Sequence, residues 1–370
     1  LTIKKPNTGE VQDYSIIRDV ITIKDIPFYG MVNDNVGYLR ITNFSVNTAN
    51  ETKDALISLM QNGASNVIID LRDNPGGLLS SSLDLLDLIL PKNLELVSTK
   101  GRAGKSIKNY KTLNNALIPE TINMAVLING ASASASEIVA GVLQDYDRAI
   151  VLGSQSFGKG LVQTVIGINQ ETALKITNSK YYIPSGRSLQ KREFIDDELI
   201  ANSSAVADTL FQTKAGRTVI GGGGIGPDVI VKDEGSYPLA ASILRSRGYF
   251  KFVQENNNQY SSIDEVLADE ELMVKFKTFI EKNDISGYVD GQEDLKLAKE
   301  KLSKKEEKNL FINNAFSVIE KQIEKTQSTM FEDEKEIIQR MVHGEFAFYY
   351  NGYEGRYNIY LKDDTVVQKA

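Results

Sequence analysis

Two short segments of this 370-residue chain contain the residue types that could carry out nucleophilic chemistry. Three serines alternate with alanines in residues 129–137, with Ser134 in the middle, and Lys159 lies between two glycines in residues 156–163. The chain has a single histidine, His343, and no cysteine. A Ser-His-Asp or Cys-His site would therefore have to be built around that histidine, whereas a serine activated by a lysine needs neither residue type.

The serine cluster follows the apolar run 124–128, which predicts a buried strand, and precedes a helical pattern over residues 136–145. A helix that begins here would direct free backbone N–H groups and its positive dipole end at the serines. Such donors suit an oxyanion hole. Ser134 with Glu137 also has the spacing of a helix-capping box, so a purely structural role for this serine stays open at this point.

Lys159 can act as a general base only when it is neutral. Its pKa must then fall from about 10.4 toward 7, and burial can lower it. The flanking glycines Gly158 and Gly160 would let the backbone bend and present the side chain. An exposed turn explains Gly-Lys-Gly equally well, and the segment lacks the spacing of a phosphate-binding loop.

Composition excludes several classes of protein. A net charge of -7 and a pI of about 5.1 argue against a general nucleic-acid binder. No apolar run approaches the ~20 residues that span a bilayer, and no signal peptide is visible at the N-terminus. Because the chain starts without Met, we expect it to be a fragment that lacks N-terminal parts. Without cysteine, neither disulfides nor thiolate metal sites can form.

Residues 36–190 alternate short apolar strands with helical patterns, which is typical of an α/β fold. From about residue 237 the pattern becomes helical, and we expect a separate, mostly helical unit with helices over residues 239–253, 263–280 and 294–340. At the N-terminus, residues 1–3 and 14–17 flank a turn at residues 6–9 and predict a hairpin.

The ordered motifs resemble those of the C-terminal processing proteases, also called tail-specific proteases. The two principal motifs are Asn-x-x-Ser-Ala-Ser-Ala-Ser-Glu-Ile, from Asn129, and Phe-Gly-Lys-Gly-x-Val-Gln, from Phe157. Further matching segments are Asp70-Leu-Arg-Asp-Asn-Pro-Gly-Gly77, Gln144-Asp-Tyr-Asp-Arg-Ala149, Tyr181-Tyr-Ile-Pro-Ser-Gly-Arg187 and Gly221-Gly-Gly-Gly-Ile-Gly-Pro-Asp228. The resemblance covers roughly residues 1–235.

The resemblance implies a role for five residues. Ser134 is the implied nucleophile and Lys159 the implied general base, with Gln163 orienting the lysine. The amides of Ala135 and Gly76 are the implied oxyanion hole. From the residues alone, Gln163 could equally be a surface residue of a strand, and the Pro-Gly-Gly segment a simple tight turn.

The resemblance also implies an architecture and a function. Residues 1–22 would be the C-terminal hairpin of a PDZ-like domain, residues 23–236 a crotonase/ClpP-like α/β protease core, and residues 237–370 a mostly helical domain. The implied protein is an exported serine endopeptidase of the bacterial periplasm or cell envelope. It would cut proteins with accessible C-terminal tails through an acyl-enzyme, with no metal or organic cofactor.

Alternatives remain open at this stage. A catalytically silent binding or scaffold protein could share the fold, as could an acyl-CoA enzyme. The helical residues 237–370 could support a homo-oligomer or dock an adaptor. We interpret His343 as a structural or surface histidine, residues 221–224 as a loop, and the charged residues 299–308 as a solvated helix face.

Overall fold

The computed structural model describes residues 1–4, 9–19, 21, 23–101, 107–191, 193–195, 198–200, 209–231, 235, 237–303 and 310–370. Its strands are β1 (Thr2–Lys4), β2 (Val11–Asp13), β3 (Phe28–Met31), β4 (Val36–Arg40), β5 (Asn66–Asp70), β6 (Glu95–Gly101), β7 (Ile107–Lys111), β8 (Asn123–Ile128), β9 (Ile150–Gly153), β10 (Leu161–Gly167), β11 (Ala173–Tyr182), β12 (Glu193–Ile195), β13 (Glu198–Ile200), β14 (Leu210–Gln212), β15 (Thr218–Ile220) and β16 (Val229–Ile230). Its α-helices are α1 (Thr48–Gln61), α2 (Leu79–Ile89), α3 (Ala135–Asp145), α4 (Pro238–Arg245), α5 (Gly248–Asn256), α6 (Ile263–Ala268), α7 (Leu272–Lys282), α8 (Gln292–Ser303), α9 (Leu310–Asp333), α10 (Lys335–Lys362) and α11 (Thr365–Lys369).

A six-stranded sheet lies at the centre of the α/β part, in the order β16-β9-β8-β5-β4-β3. Every neighbouring pair is parallel except β3 with β4, which is antiparallel. Parallel strands need crossover connections, and α1, α2 and α3 follow β4, β5 and β8 along the chain. The predicted α/β fold is confirmed.

The two faces of this sheet are buried by different parts of the chain. Because side chains alternate along a strand, Leu39, Ile69, Val126 and Val151 share one face and enter the core that also contains buried residues of α1, α2 and α3. Alternate residues, among them Tyr38, point to the other face. Burial on both sides explains why these strands are continuously apolar in sequence.

The second face of the sheet is covered by the end of the chain. Val367 of α11 is buried there, and Tyr357 and Leu361 of α10 pack beside it. The ring of Tyr357 stacks on Phe28 of β3, with centroids 4.9 Å apart and an interplanar angle of 12°. The helical part was expected as a separate unit, but its last two helices form a layer of the α/β core.

The C-terminal helices before α10, together with the first part of α10, enclose a core of their own. Its buried residues include Phe252, Phe276 and Phe346, and the ring of Phe252 meets the other two edge-on. The expected helix over 239–253 is broken at Arg247, whose φ is 59°. The helical stretch expected over 294–340 contains α8, α9 and the start of α10, and α10 continues to Lys362 with a kink at Gly352. Residues 304–308 of the charged run lie outside the described residues.

The N-terminal hairpin consists of β1 and β2, paired antiparallel with Ile3 opposite Gln12. The sequence predicted the second strand of the hairpin at residues 14–17, slightly later than the observed β2. Residues 6–8 of the expected turn lie outside the described residues. A smaller antiparallel sheet, in the order β10-β11-β6-β7, flanks the core and supports the segment that follows Lys159. In the part of the chain described, no helix is long and apolar enough to cross a bilayer.

Candidate active site

Ser134 occupies the sharp connection between β8 and α3. It is the residue immediately before the first residue of α3, and its backbone has φ 57° and ψ -111°. A non-glycine residue at positive φ costs on the order of 1–3 kcal/mol and persists only where the surroundings enforce it. The sequence indicated the helix start but gave no sign of this backbone strain.

Hydrogen bonding distinguishes Ser134 from Ser132 and Ser136, the other two serines of the cluster. The Ser132 hydroxyl donates to the carbonyl of Leu71 at 2.8 Å, and the Ser136 hydroxyl donates to the carbonyl of Asn74 at 3.0 Å. Both of these serines are fully buried. Ser134 is half-buried, and its hydroxyl donates to no described group, although its Oγ occupies the capping-box position in which it accepts the Glu137 N–H. Only the middle serine thus has a hydroxyl free to react.

The predicted oxyanion-hole residues lie next to each other and to Ser134. A Cβ atom built on Gly76 would lie 2.9 Å from the backbone nitrogen of Ala135 and 2.9 Å from Ser134 Cβ. The Ala135 N–H, at the first position of α3, has no acceptor within the described part of the chain. The Gly76 N–H instead donates to Asn74 Oδ1 at 2.9 Å. The Ala135 N–H is therefore free to donate, whereas the Gly76 N–H already donates within its own turn.

Asn74 connects the glycine turn to the nucleophile segment. Its carbonyl oxygen accepts from the Ala133 N–H at 3.0 Å and from Ser136 Oγ. Its side-chain amide donates to the carbonyl of Ile41 at the end of β4. Because Asn74 is fully buried and all these bonds are made, the turn has a fixed position beside Ser134.

The buried carboxylate of Glu137 connects the serine segment to the lysine segment. Its Oε2 atom accepts from the Ser134 N–H at 2.7 Å and from the Lys159 N–H at 2.8 Å. Its Oε1 atom accepts from Ser156 Oγ at 2.6 Å and from the Gly158 N–H at 2.7 Å. Burial raises the pKa of Glu137, and these four donors oppose that rise. From the sequence, Glu137 could be a helix cap or a residue that supports the site, and nothing there indicated that it bridges the two segments.

Lys159 lies in the loop between β9 and β10, as predicted, and is half-buried. Within the described residues, its side chain forms no ion pair or hydrogen bond, including with Ser134 Oγ. Gln163 is exposed on β10, beside an irregularity in the pairing with β11, and no described hydrogen bond joins its side chain to Lys159. Catalytic hydrogen bonds are often unformed in a structure without substrate, so this geometry is compatible with a resting dyad.

A buried ionic cluster lies at the start of the glycine turn. Asp70 is fully buried and contacts Arg40 at 2.8 Å and Arg72 at 2.5 Å. The Tyr38 hydroxyl also donates to Asp70. Burial alone would raise the pKa of Asp70, but the two guanidinium groups hold it well below its usual range. This cluster fixes the end of β5, from which the turn emerges.

Two family models match this chain. Residues 35–200 match Peptidase family S41, and residues 239–370 match "Probable PDZ-protease, C-terminal helical domain". Residues 35–200 are therefore similar to peptidase family S41. The S41 match includes the serine cluster, the lysine loop and the glycine turn, and it confirms the resemblance inferred from the motifs.

Individual relatives agree with the family match. The carboxy-terminal-processing protease of Bartonella bacilliformis is 41% identical over 194 residues, which are 51% of this chain and 44% of that protein. The carboxyl-terminal-processing protease of Picosynechococcus sp. is 35% identical over 204 residues, covering 54% and 48%. The matched part thus spans about half the length of these bacterial relatives. Among solved structures, the photosystem II D1 C-terminal processing protease aligns with a TM-score of 0.44 and 23% identity, covering 60% of this chain and 52% of that one.

The part of the chain that matches S41 brings together Ser134, Ala135, Gly76 and the Lys159 loop, whereas no described hydrogen bond joins the side chain of Gln163 to Ser134 or Lys159. His343 lies on α10, outside the S41 match, and burial lowers its pKa. Among the described residues, no group of three or more His, Cys, Asp or Glu side chains could hold a metal ion.

Proposed function

We propose that this chain is a serine endopeptidase that uses Ser134 as nucleophile and Lys159 as general base, and that it cuts protein substrates near their C-termini. The observation that carries the proposal is the free hydroxyl of Ser134, which lies beside the free Ala135 N–H. Glu137 holds the Lys159 loop against the same segment. Ser132 and Ser136, by contrast, both donate their hydroxyl protons to backbone carbonyl oxygens.

The proposed reaction begins when neutral Lys159 Nζ accepts the proton of Ser134 Oγ, and the oxygen bonds to the carbonyl carbon of the substrate. The negative charge that develops on the carbonyl oxygen is stabilised by the Ala135 N–H at the start of α3. The carbon–nitrogen bond then breaks, and the leaving amine takes the proton from Lys159. Lys159 then deprotonates a water molecule, which attacks the acyl carbon. The bond between that carbon and Ser134 Oγ breaks, and Lys159 returns the proton to Ser134 Oγ.

The Gly76 N–H is the second donor in this proposal. It becomes available when it turns from Asn74 Oδ1 toward the substrate, so one hydrogen bond must be exchanged as the site becomes active. Gln163 orients Lys159 in the same active arrangement. Both changes are small movements of segments that already lie beside the serine.

The names of the relatives support processing at carboxyl termini and a bacterial origin. The motif resemblance supports substrates with accessible C-terminal tails. We propose a periplasmic or cell-envelope location on the same basis. Residues 1–22 lie outside the S41 match, and their described part contains the hairpin of β1 and β2. We propose that they are the end of a PDZ-like domain that selects these tails by strand addition.

The test is cleavage of an unfolded protein with a C-terminal tag, with the cut sites identified by mass spectrometry. We expect wild type to cut near the tag and both Ser134→Ala and Lys159→Ala to be inactive while remaining folded. Lys175→Ala, at an exposed lysine of β11, serves as the matched control and should retain activity. Cleavage by Ser134→Ala would overturn the proposal, and tail binding without cleavage by wild type would identify a silent binding protein instead.

A further inference from the structure

Arg72 joins the glycine turn to the last helix of the chain. Its guanidinium donates to Asp364 through Nη2 to Oδ2 at 2.7 Å and through Nη1 to Oδ1 at 3.2 Å. The same guanidinium donates through Nε to both oxygens of Asp70 at 3.0 Å. Arg72 is therefore held between a carboxylate of the sheet and a carboxylate of the C-terminal region. Such paired, bidentate contacts fix the position of a guanidinium closely.

Arg72 lies directly before the turn that carries Gly76. The next residue, Asp73, donates its N–H to Asn129 Oδ1 at 2.9 Å and accepts from Asn129 Nδ2 at 2.8 Å. Asn129 begins the serine segment. A displacement of Arg72 would therefore be transmitted to both loops that carry the oxyanion-hole donors.

The position of Asp364 is set by packing and not by Arg72 alone. Its Oδ1 atom caps α11 by accepting from the Val366 and Val367 N–H groups at 3.0 Å each. The side chain of Val367 is buried against the sheet. Arg72 and Asp364 are each only 17% exposed, so the pair is largely shielded from solvent screening.

We propose that Asp364 is a positioning residue for catalysis, through which the C-terminal helices hold the oxyanion turn in place by way of Arg72. This inference rests on the proposed peptidase function. It assigns residues 364–367 to the support of the active site, although they lie far outside the S41 match in sequence. Displacement of α11 would then lower the rate of acylation without altering the Ser134–Lys159 pair.

The test separates the charge pair from the helix cap. Asp364→Ser keeps a good capping residue but removes both contacts to Arg72. Asp364→Glu retains the charge, and Asp363→Asn changes an exposed neighbour as the control. We expect Asp364→Ser to lower kcat about tenfold with KM changed less than twofold, because small misplacements of catalytic groups act on the chemical step. Asp364→Glu should recover part of the loss, and all variants should melt within a few degrees of Asp363→Asn.

A second measurement does not depend on cleavage. Hydrogen exchange should become faster across residues 71–77 in Asp364→Ser and stay unchanged in Asp363→Asn. Unchanged exchange there, or a fall in kcat matched by a general loss of folded protein, would overturn the proposal. If wild type has no peptidase activity, the proposed function fails, and the exchange measurement alone decides whether Asp364 holds the turn.

Discussion

The backbone N–H of Lys159 donates to Glu137 Oε2 at 2.8 Å, and the same oxygen accepts the N–H of Ser134 at 2.7 Å. The loops of the nucleophile and the base are thus held together through one buried atom. The side chains proposed as nucleophile and base can remain apart at rest while their backbones stay fixed. A carboxylate can serve both loops because an ionised oxygen accepts several hydrogen bonds.

Glu137→Gln should weaken both the fold and the activity. The amide has a single oxygen, and its NH₂ group would face backbone or hydroxyl donors, so at least one buried donor loses its acceptor. A loss of about 1–3 kcal/mol in the free energy of unfolding is expected, together with a lower kcat. Urea unfolding and peptide cleavage measure the two effects. Glu171→Gln, at an exposed turn residue, is the control, and equal behaviour of the two variants would refute the role of Glu137.

Gly76→Ala should abolish most of the activity. The added Cβ would lie 2.6 Å from the Ala133 carbonyl oxygen, and φ is +95°. The turn must shift away from Ser134, and the loss of one oxyanion donor typically lowers kcat by about 100-fold or more. Gly216→Ala is the matched control, since Gly216 has a φ of +84° and open space around its Cβ position. Comparing kcat of the two variants separates the effect of the steric clash at Gly76 from the effect of backbone strain alone.

The three serines should respond differently to replacement by alanine. Ser132→Ala leaves the Asn129 N–H without its side-chain acceptor and should cost about 1–3 kcal/mol of stability, while the folded fraction still cleaves substrate. Ser134→Ala should leave stability nearly unchanged and remove activity. Ser134→Gly should be about 1 kcal/mol more stable than Ser134→Ala, because glycine relieves the positive φ. Thermal melting and cleavage assays check this order, and inactivation by Ser132→Ala at full stability would contradict it.

Asp70 should make stability depend on acid pH. Its pKa is lowered in the folded state, so its contribution is fully present above the unfolded value near 3.9 and is lost as pH falls toward the folded value. Asp70→Asn should cost about 3 kcal/mol at pH 7, because Arg40 and Arg72 lose a buried counter-charge. The free energy of unfolding of Asp70→Asn should also fall less steeply than that of the wild type below about pH 4. Urea titrations at several pH values test this, with exposed Asp34→Asn as the control.

The stacked pair of Phe28 and Tyr357 should couple the sheet to the C-terminal helices. A double-mutant cycle with Phe28→Leu and Tyr357→Leu is expected to give a coupling of about 0.5–1.5 kcal/mol in the free energy of unfolding. A matched cycle with Tyr29→Leu, whose ring is exposed on the same strand, should give none. Zero coupling between Phe28 and Tyr357 would mean that their stacking contributes nothing to the free energy of unfolding.

Much of the α/β core could be predicted from the sequence because the signals for its strands and helices are local. Buried strands such as 67–70 are short apolar runs, and the start of α3 is marked by small residues and a Ser–Glu pair. The expected break between an α/β part and a helical part was also recognisable from periodicity. Helix boundaries that depend on backbone conformation could not be predicted from the apolar pattern. At Arg247, a residue in the left-handed conformation separates two helices that this pattern alone joins.

The sequence by itself determined the chemical inventory: one cluster of alternating serines and alanines, one glycine-flanked lysine, and no cysteine or second histidine to form another nucleophile–base pair. Tertiary structure decided which hydroxyl is free, that Glu137 serves both loops, and that Asp364 reaches Arg72 from the other end of the chain. The physical reason is that hydrogen-bond satisfaction and ion pairing depend on distances between segments remote in sequence. Residue types and local periodicity do not contain those distances.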